Sequence, residues 1–126
     1  MKWSDVGEAE AAKVKASTGI DIGGHVHAFD SSAAKHIHKQ HGDPAREEPR
    51  GQVAVTADDL RRLPAHIAGA DEIERGGTTK QGRETIRYYH DEQGTTVVVE
   101  EVRTGRKELV PVSMRIHKGK FREPQK

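Results

Sequence analysis

The chain has 126 residues, room for one domain and little more. Its hydrophobic share is 33% and its aromatic share 4%, so the core must be thin. Twenty-one Lys and Arg against twenty Asp and Glu give a formal charge of +1, which excludes a uniformly basic nucleic-acid coat and an acidic mimic but leaves room for a local basic patch. The absence of cysteine excludes disulfides, thiolate metal sites and a cysteine nucleophile. No apolar run approaches the ~20 residues of a membrane span. Met1-Lys2-Trp3-Ser4-Asp5 lacks the apolar stretch of a signal peptide. A chain of this kind that acts in another cell has to be delivered by something else. The eight histidines are the anomaly, since they add positive charge below about pH 6.5.

In chain order, residues 6–15 are rich in Ala, Glu and Lys and predict a weak helix. Residues 1–16 thus read as a peripheral helix or linker. Gly19, Gly23 and Gly24 mark a loop. A better helix opens at Phe29-Asp30-Ser31-Ser32, with Asp30 as N-cap and Phe29 as the staple before it. Gly42 and Pro44 close it. Residues 43–51 are a charged loop, and 52–55 a short strand. Thr56 caps a short helix that Pro64 ends. Residues 65–75 are ambiguous, with 71–75 readable as an edge strand; 76–82 form a Gly-rich loop.

The last third is rich in β-branched residues over 83–90, 95–103 and 106–117. Pairing His90 with Thr95 and Arg103 with Arg106 predicts a three-stranded antiparallel meander. One face then collects Ile86, Tyr88, Val97, Val99, Val110, Val112 and Met114. The opposite face collects Arg87, Tyr89, Thr96, Val98, Glu100, Lys107, Leu109, Pro111, Ser113 and Arg115. Its apolar middle among cations suggests partial cover by chain or ligand.

The helix over 30–41 carries Lys35-His36-Ile37-His38-Lys39-Gln40-His41-Gly42. With Ile37 inward, the 100° step places His41 beside it and leaves His36 and His38 half exposed. Three readings stay open. His41 can be a core histidine with two surface neighbours. His38 and His41 can chelate a metal, with His25 or His27 adding ligands, although the helix offers no carboxylate partner. Or the histidines can act as general acid and base. RNA carries its own nucleophile in the 2′-hydroxyl, so a metal-free ribonuclease needs a base, an acid and cations for the developing phosphorane charge. Arg87, Lys107 and Arg115 can supply that charge, Ser113 can orient an oxygen, and Tyr89 can stack a base. The plain alternatives are a cross-strand Arg87–Glu100 ion pair, a filler Ser113, and a Tyr89 that lids the sheet.

The stretch His36-Ile37-His38-Lys39-Gln40-His41-Gly42 resembles the His-Ile-x-x-x-His-Gly element of phage-borne nuclease domains in the barnase–EndoU–colicin–RelE-like superfamily. These occur at the C-terminus of Mu-type phage minor head proteins and in polymorphic toxins. Three further stretches are similar to the same group: Val55-Thr56-Ala57-Asp58-Asp59-Leu60 leading to Leu63-Pro64, Ala70-Asp71-Glu72-Ile73, and the run 98–106 followed by Lys107-Glu108-Leu109. Ser113-Met114 stands where the group commonly has Thr-Met.

The resemblance implies an α+β fold, with N-terminal helices followed by an antiparallel sheet of about four strands. The domain would span 17–118 and a flexible tail 119–126. It implies metal-independent RNA cleavage at the sheet face, without a cofactor, by His36, His41, Arg87 and Ser113. Tyr89, Lys107 and Arg115 would hold the RNA. By analogy with toxins it also implies an immunity protein, fusion to a phage head protein, and action in the cytoplasm of a target bacterium or association with the phage. Two other functions stay open: a non-catalytic phage-head or binding module, and a His-ligated metal-dependent hydrolase. The chain departs from the group's pattern at His38, at Ser113, and at Arg115-Ile116 after the Met.

Overall fold

The computed structural model describes residues 2–124; Met1 and residues 125–126, the end of the expected tail, lie outside the described residues. The elements in order are β1 (Lys2–Asp5), α1 (Glu8–Thr18), β2 (Val26–Ala28), α2 (Ser31–His41) and α3 (Pro44–Glu47). A 3-10 turn (Glu48–Arg50), β3 (Gln52–Val53), α4 (Ala57–Arg61) and α5 (Leu63–Ala68) follow. The chain then runs through β4 (Glu72–Arg75), β5 (Thr85–Asp91), β6 (Thr95–Arg103) and β7 (Glu108–His117).

This corrects the expected architecture of helices followed by a four-stranded antiparallel sheet. Among the described residues seven strands form one mixed sheet in the order β1-β2-β7-β6-β5-β4, with β3 also paired to β7. Strands precede and interrupt the helices, and β2 runs parallel to β7. The reason is length. β1, β2 and β3 have four, three and two residues, too few for a period-two pattern to show.

Helices α2, α3 and α4 begin where side chains cap them. Asp30 accepts from the Ala33 N–H at the start of α2, Asp43 from Ala45 at α3, and Thr56 with Asp59 forms a capping box at α4. Gly19 ends α1 with a φ of 78°, a left-handed conformation that favours glycine. Pro64 opens α5 instead of only closing the helix before it, because its missing N–H is no loss in a first turn.

β5, β6 and β7 are consecutive antiparallel neighbours, but the register differs from the expected one. Asp91, not His90, pairs with Thr95, which turns β6 over relative to β5. Arg103 pairs with Glu108, and Lys107 takes a φ of 53° to close the longer turn. A bulge then shifts the β6–β7 register: Glu100 faces Pro111 while Val99 faces Ser113. Pro111 has no N–H for the ladder, which suits a strand interrupted at this point.

Val98, Val102 and Leu109 therefore enter the core, while Val97, Val99 and Val110 do not share a face with Ile86 and Tyr88, and Val112 is the extra residue of the bulge, without a cross-strand partner. For β7 beyond the bulge the two shifts cancel. Arg87, Val99 and Ser113 lie in one cross-strand row, and Tyr89, Val97 and Arg115 in the next.

The helices cover one face only. Val14 of α1, Ile37 of α2 and Leu63 and Ile67 of α5 pack with Ile86, Tyr88, Val98, Val102, Leu109 and Met114; Trp3, Val6 and Ala11 join the margin. Burying each large apolar side chain contributes about 1.5–3 kcal/mol, so this one cluster carries the hydrophobic stabilisation of the fold. The opposite face presents Glu72, Glu74, Arg87, Tyr89, Ser113, Arg115 and His117, and among the described residues the helices put their core side chains on the other face.

Candidate active site on the open sheet face

Two histidine clusters flank the sheet on its core side, and a third group occupies its open face. The deepest is built on His27, which β2 places opposite Leu109. Its Nδ1 meets Glu100 at 2.7 Å and its Nε2 meets Glu10 at 2.7 Å, while the Tyr88 hydroxyl donates to Glu100 at 2.7 Å. Trp3 stacks on the imidazole with centroids 5.2 Å apart. Burial disfavours the imidazolium, but Glu100 and then Glu10 outweigh it and push the His27 pKa up to about 9. Burial, with Glu100 behind it, holds the Tyr88 phenol well above its usual range. A cavity of about 500 Å³ opens beside this group, lined by Trp3, Glu10, Val14, Ile67 and Tyr88 among others. Both ring nitrogens are committed to carboxylates, so the protonated His27 ring has no free lone pair to accept a proton.

The second cluster joins α5 to the β5–β6 turn. His66 Nδ1 lies 2.8 Å from His90 Nδ1, and each is 3.6 Å from Glu92 Oε1. Burial, with Arg62 and His90 behind it, lowers the His66 pKa to about 4. Among the described residues these three form the group whose ligand atoms are close enough to hold a metal ion. Arg62 already grips the Glu92 carboxylate with bonds of 2.7 and 3.0 Å. The expected metal ligands do not converge: His38 is exposed, His25 Nδ1 contacts the Gly23 carbonyl, and His27 and His41 are held by carboxylates.

The third group lies along β7 and the end of α2. His41, at the rim of the helix, is held through Nδ1 by Glu47 at 2.5 Å, and the Glu47 side chain is fully buried. His117 ends β7 two steps beyond Ser113 on the same face, with Arg115 between them in the alternation. Its Nε2 is buried without a hydrogen-bond partner, as is Glu47 Oε2. Burial and then Arg115 lower the His117 pKa, and both Glu47 and His41 act on it electrostatically. Across the sheet, Arg87 donates to Glu74 at 2.5 Å, as does the Tyr89 hydroxyl. Burial works against the Arg87 charge, but the Glu74 bond overcomes it and keeps the guanidinium charged.

Of the residues singled out in the sequence, Arg87, Tyr89, Ser113 and Arg115 share this face, and His41 is near enough to act on His117 electrostatically. His36 is exposed on α2 and makes no hydrogen bond or ion pair with the described residues. Lys107 lies in the β6–β7 turn, eight residues before Arg115, or roughly 26 Å along an extended strand. Glu47 and His117 were not singled out. His117 had a legible signal, since the step that links Ser113 to Arg115 reaches it next.

Two imidazoles, one of them kept neutral and one oriented by a buried carboxylate, beside two guanidiniums on an open sheet face, are equipment for acid–base chemistry on a phosphodiester. That class is independently matched. A family model described as phage-Barnase-EndoU-ColicinE5/D-RelE like nuclease3 fits residues 4–123. The chain belongs to this family, and it is a nuclease. Searches of curated proteins and of solved structures each gave no match. Among the described residues no helix is long and apolar enough to cross a membrane.

Proposed function

We propose that the chain is an endoribonuclease that cleaves RNA through the 2′-hydroxyl without a metal cofactor. One observation carries this reading: His117 and Arg115 alternate onto the same face of β7, and Glu47 and the His41 it holds are near enough to act on His117 electrostatically. His117, held neutral, takes the proton of the 2′-hydroxyl as that oxygen attacks phosphorus. His41, oriented by Glu47, returns a proton to the leaving 5′-oxygen. Arg115 and Arg87 face the developing phosphorane charge, and Ser113 lies in the Arg87 row to orient an oxygen. The nucleophile belongs to the substrate, so nothing in the sequence of steps calls for a metal-activated water.

The phage-type family supports a toxin role, with an immunity protein, fusion to a phage head protein, and action in a target bacterium's cytoplasm after delivery. The test is incubation of purified protein with total bacterial RNA, with and without EDTA. The expected result is cleavage that survives chelation and leaves a 2′,3′-cyclic phosphate or 3′-phosphate. Loss of activity in EDTA, or 3′-hydroxyl ends, overturns the mechanism. RNA bound but uncut marks a non-catalytic module.

A further inference from the structure

After β7 the chain turns back, and residues 121–123 lie on the open face. The Phe121 ring stacks on His117, centroids 3.7 Å apart and planes 8° from parallel, with the Arg115 guanidinium 5.6 Å from its centroid. The Phe121 N–H donates to Thr95 Oγ1 at 2.9 Å. Arg122 lies 4.7 Å over the Tyr89 ring and pairs with Asp91 and Glu72. The Glu123 carboxylate accepts from Arg115 at 2.5 Å, and its N–H donates to the Tyr89 hydroxyl at 3.0 Å. Arg115 first, then Arg87 and His117, hold that carboxylate below its ordinary range. Tyr89 is 0% exposed, although among the described residues the helices put their core side chains on the other face of the sheet.

A flat ring on one platform and an anion on the neighbouring guanidinium are the two features a nucleotide brings to a protein. We propose that residues 121–123 are a built-in pseudo-substrate, with Phe121 in the place of a nucleobase on His117 and Glu123 in the place of a backbone phosphate at Arg115. RNA then gains the site only by displacing the strap. The same contacts define a nucleotide subsite: a ring platform at His117 and an anion position at Arg115, with Arg87 near enough to act on its charge. This rests on reading the open face as the nucleic-acid site. The strap is suited to release. Phe121, Arg122 and Glu123 are all partly exposed, and the segment adds no residue to the hydrophobic core cluster, so it opens without unfolding the sheet. A ligand that binds only the open form sees its affinity reduced by the open fraction, so loosening the strap raises apparent affinity.

The experiment measures binding of a fluorescein-labelled single-stranded 2′-deoxy oligonucleotide, which lacks the attacking hydroxyl, by anisotropy. Wild type, Phe121→Ala, Glu123→Gln and Phe121→Ala/Arg115→Ala are compared, with RNA cleavage assayed in parallel. Phe121→Ala and Glu123→Gln should each tighten binding by about three- to tenfold, the worth of one stacked pair or one charged contact. Adding Arg115→Ala should abolish the gain. Unchanged or weaker binding in both folded strap variants overturns the strap and leaves the nuclease mechanism standing. Tighter binding with no RNA cleavage in any protein keeps the strap and overturns the mechanism. Hydrogen exchange on the wild-type chain covers variants that fail to fold: the Phe121 and Glu123 amides should exchange faster with oligonucleotide bound, and slower exchange refutes displacement.

Discussion

Replacing Glu100 by Gln tests the buried His27 network and separates it from the site of chemistry. In the folded chain His27 is protonated up to about pH 9, against 6.5 when unfolded. That difference corresponds to about 3 kcal/mol. Because the folded value is raised, this stability is fully present below pH 6.5 and is lost as pH rises through 9. Glu100 is the stronger of the two carboxylate partners and is fully buried, so Glu100→Gln should remove most of it. Breaking one side of a buried ion pair costs about 3–5 kcal/mol in other proteins, which agrees in size. At pH 6 the variant should unfold about 3 kcal/mol less stable, with a melting point lower by on the order of 10 °C. Urea titrations at pH 6 and pH 9.5 check this: the wild type should weaken between the two, and the variant should weaken much less. A difference between the proteins that is the same at both pH values refutes the charge argument. The folded fraction of the variant should still cleave RNA at the wild-type rate, since His27 faces the core.

The acid limb has a separate origin: His66, lowered to about 4, gives stability that is complete above pH 6.5 and falls by about 3 kcal/mol as pH drops toward 4, and His66→Gln should flatten that limb in urea titrations. His41→Ala and His117→Ala should each reduce kcat/KM on RNA by about 10²–10⁴ with the fold retained by circular dichroism, whereas His36→Ala should lose less than tenfold. Deleting Val112, the extra residue of the bulge, leaves Glu100 opposite Pro111 and Val99 opposite Ser113 in one continuous ladder, so cooperative melting and RNA cleavage should survive it; inserting one residue after Ser113 should turn Arg115 and His117 into the core and abolish both.

The helix carrying the histidines was legible because its signals are local. Asp30 caps it, Ile37 is its fully buried residue, and His41 falls beside Ile37 by the helical step. The sheet was harder because its short members are made by pairing and not by pattern. Lys2–Asp5 is a strand only because Val26–Ala28 lies beside it, and Val26–Ala28 only because Glu108 and Leu109 accept it as a parallel neighbour. Register was hardest of all. A valine run such as Val97-Val98-Val99 satisfies either face, so the pattern could not say which valine points inward, and the turn decided it.

The polar face kept its composition through that error for a physical reason. Turning β6 over at its first turn carries the start of β7 with it, as Leu109 in the core shows, and the bulge near Pro111 turns the register back before Ser113. Two flips restore the relation between the outer strands, so Arg87 and Arg115 stand on one face whichever way the valines between them point. What no local rule could reach was the second half of the site. Glu47 is a buried carboxylate inside a stretch that reads as a solvated loop, and its burial depends on His41 arriving from the preceding helix. Phe121-Arg122-Glu123 reads as tail because its charges find partners only on the assembled sheet: Asp91 and Glu72 for Arg122, Arg115 for Glu123. Charged residues in a sequence default to solvent, and only the folded face shows which of them are spoken for. Here the two cations of this face that are expected to meet RNA are already engaged, Arg115 by Glu123 and Arg87 by Glu74, so substrate must compete with carboxylates for both.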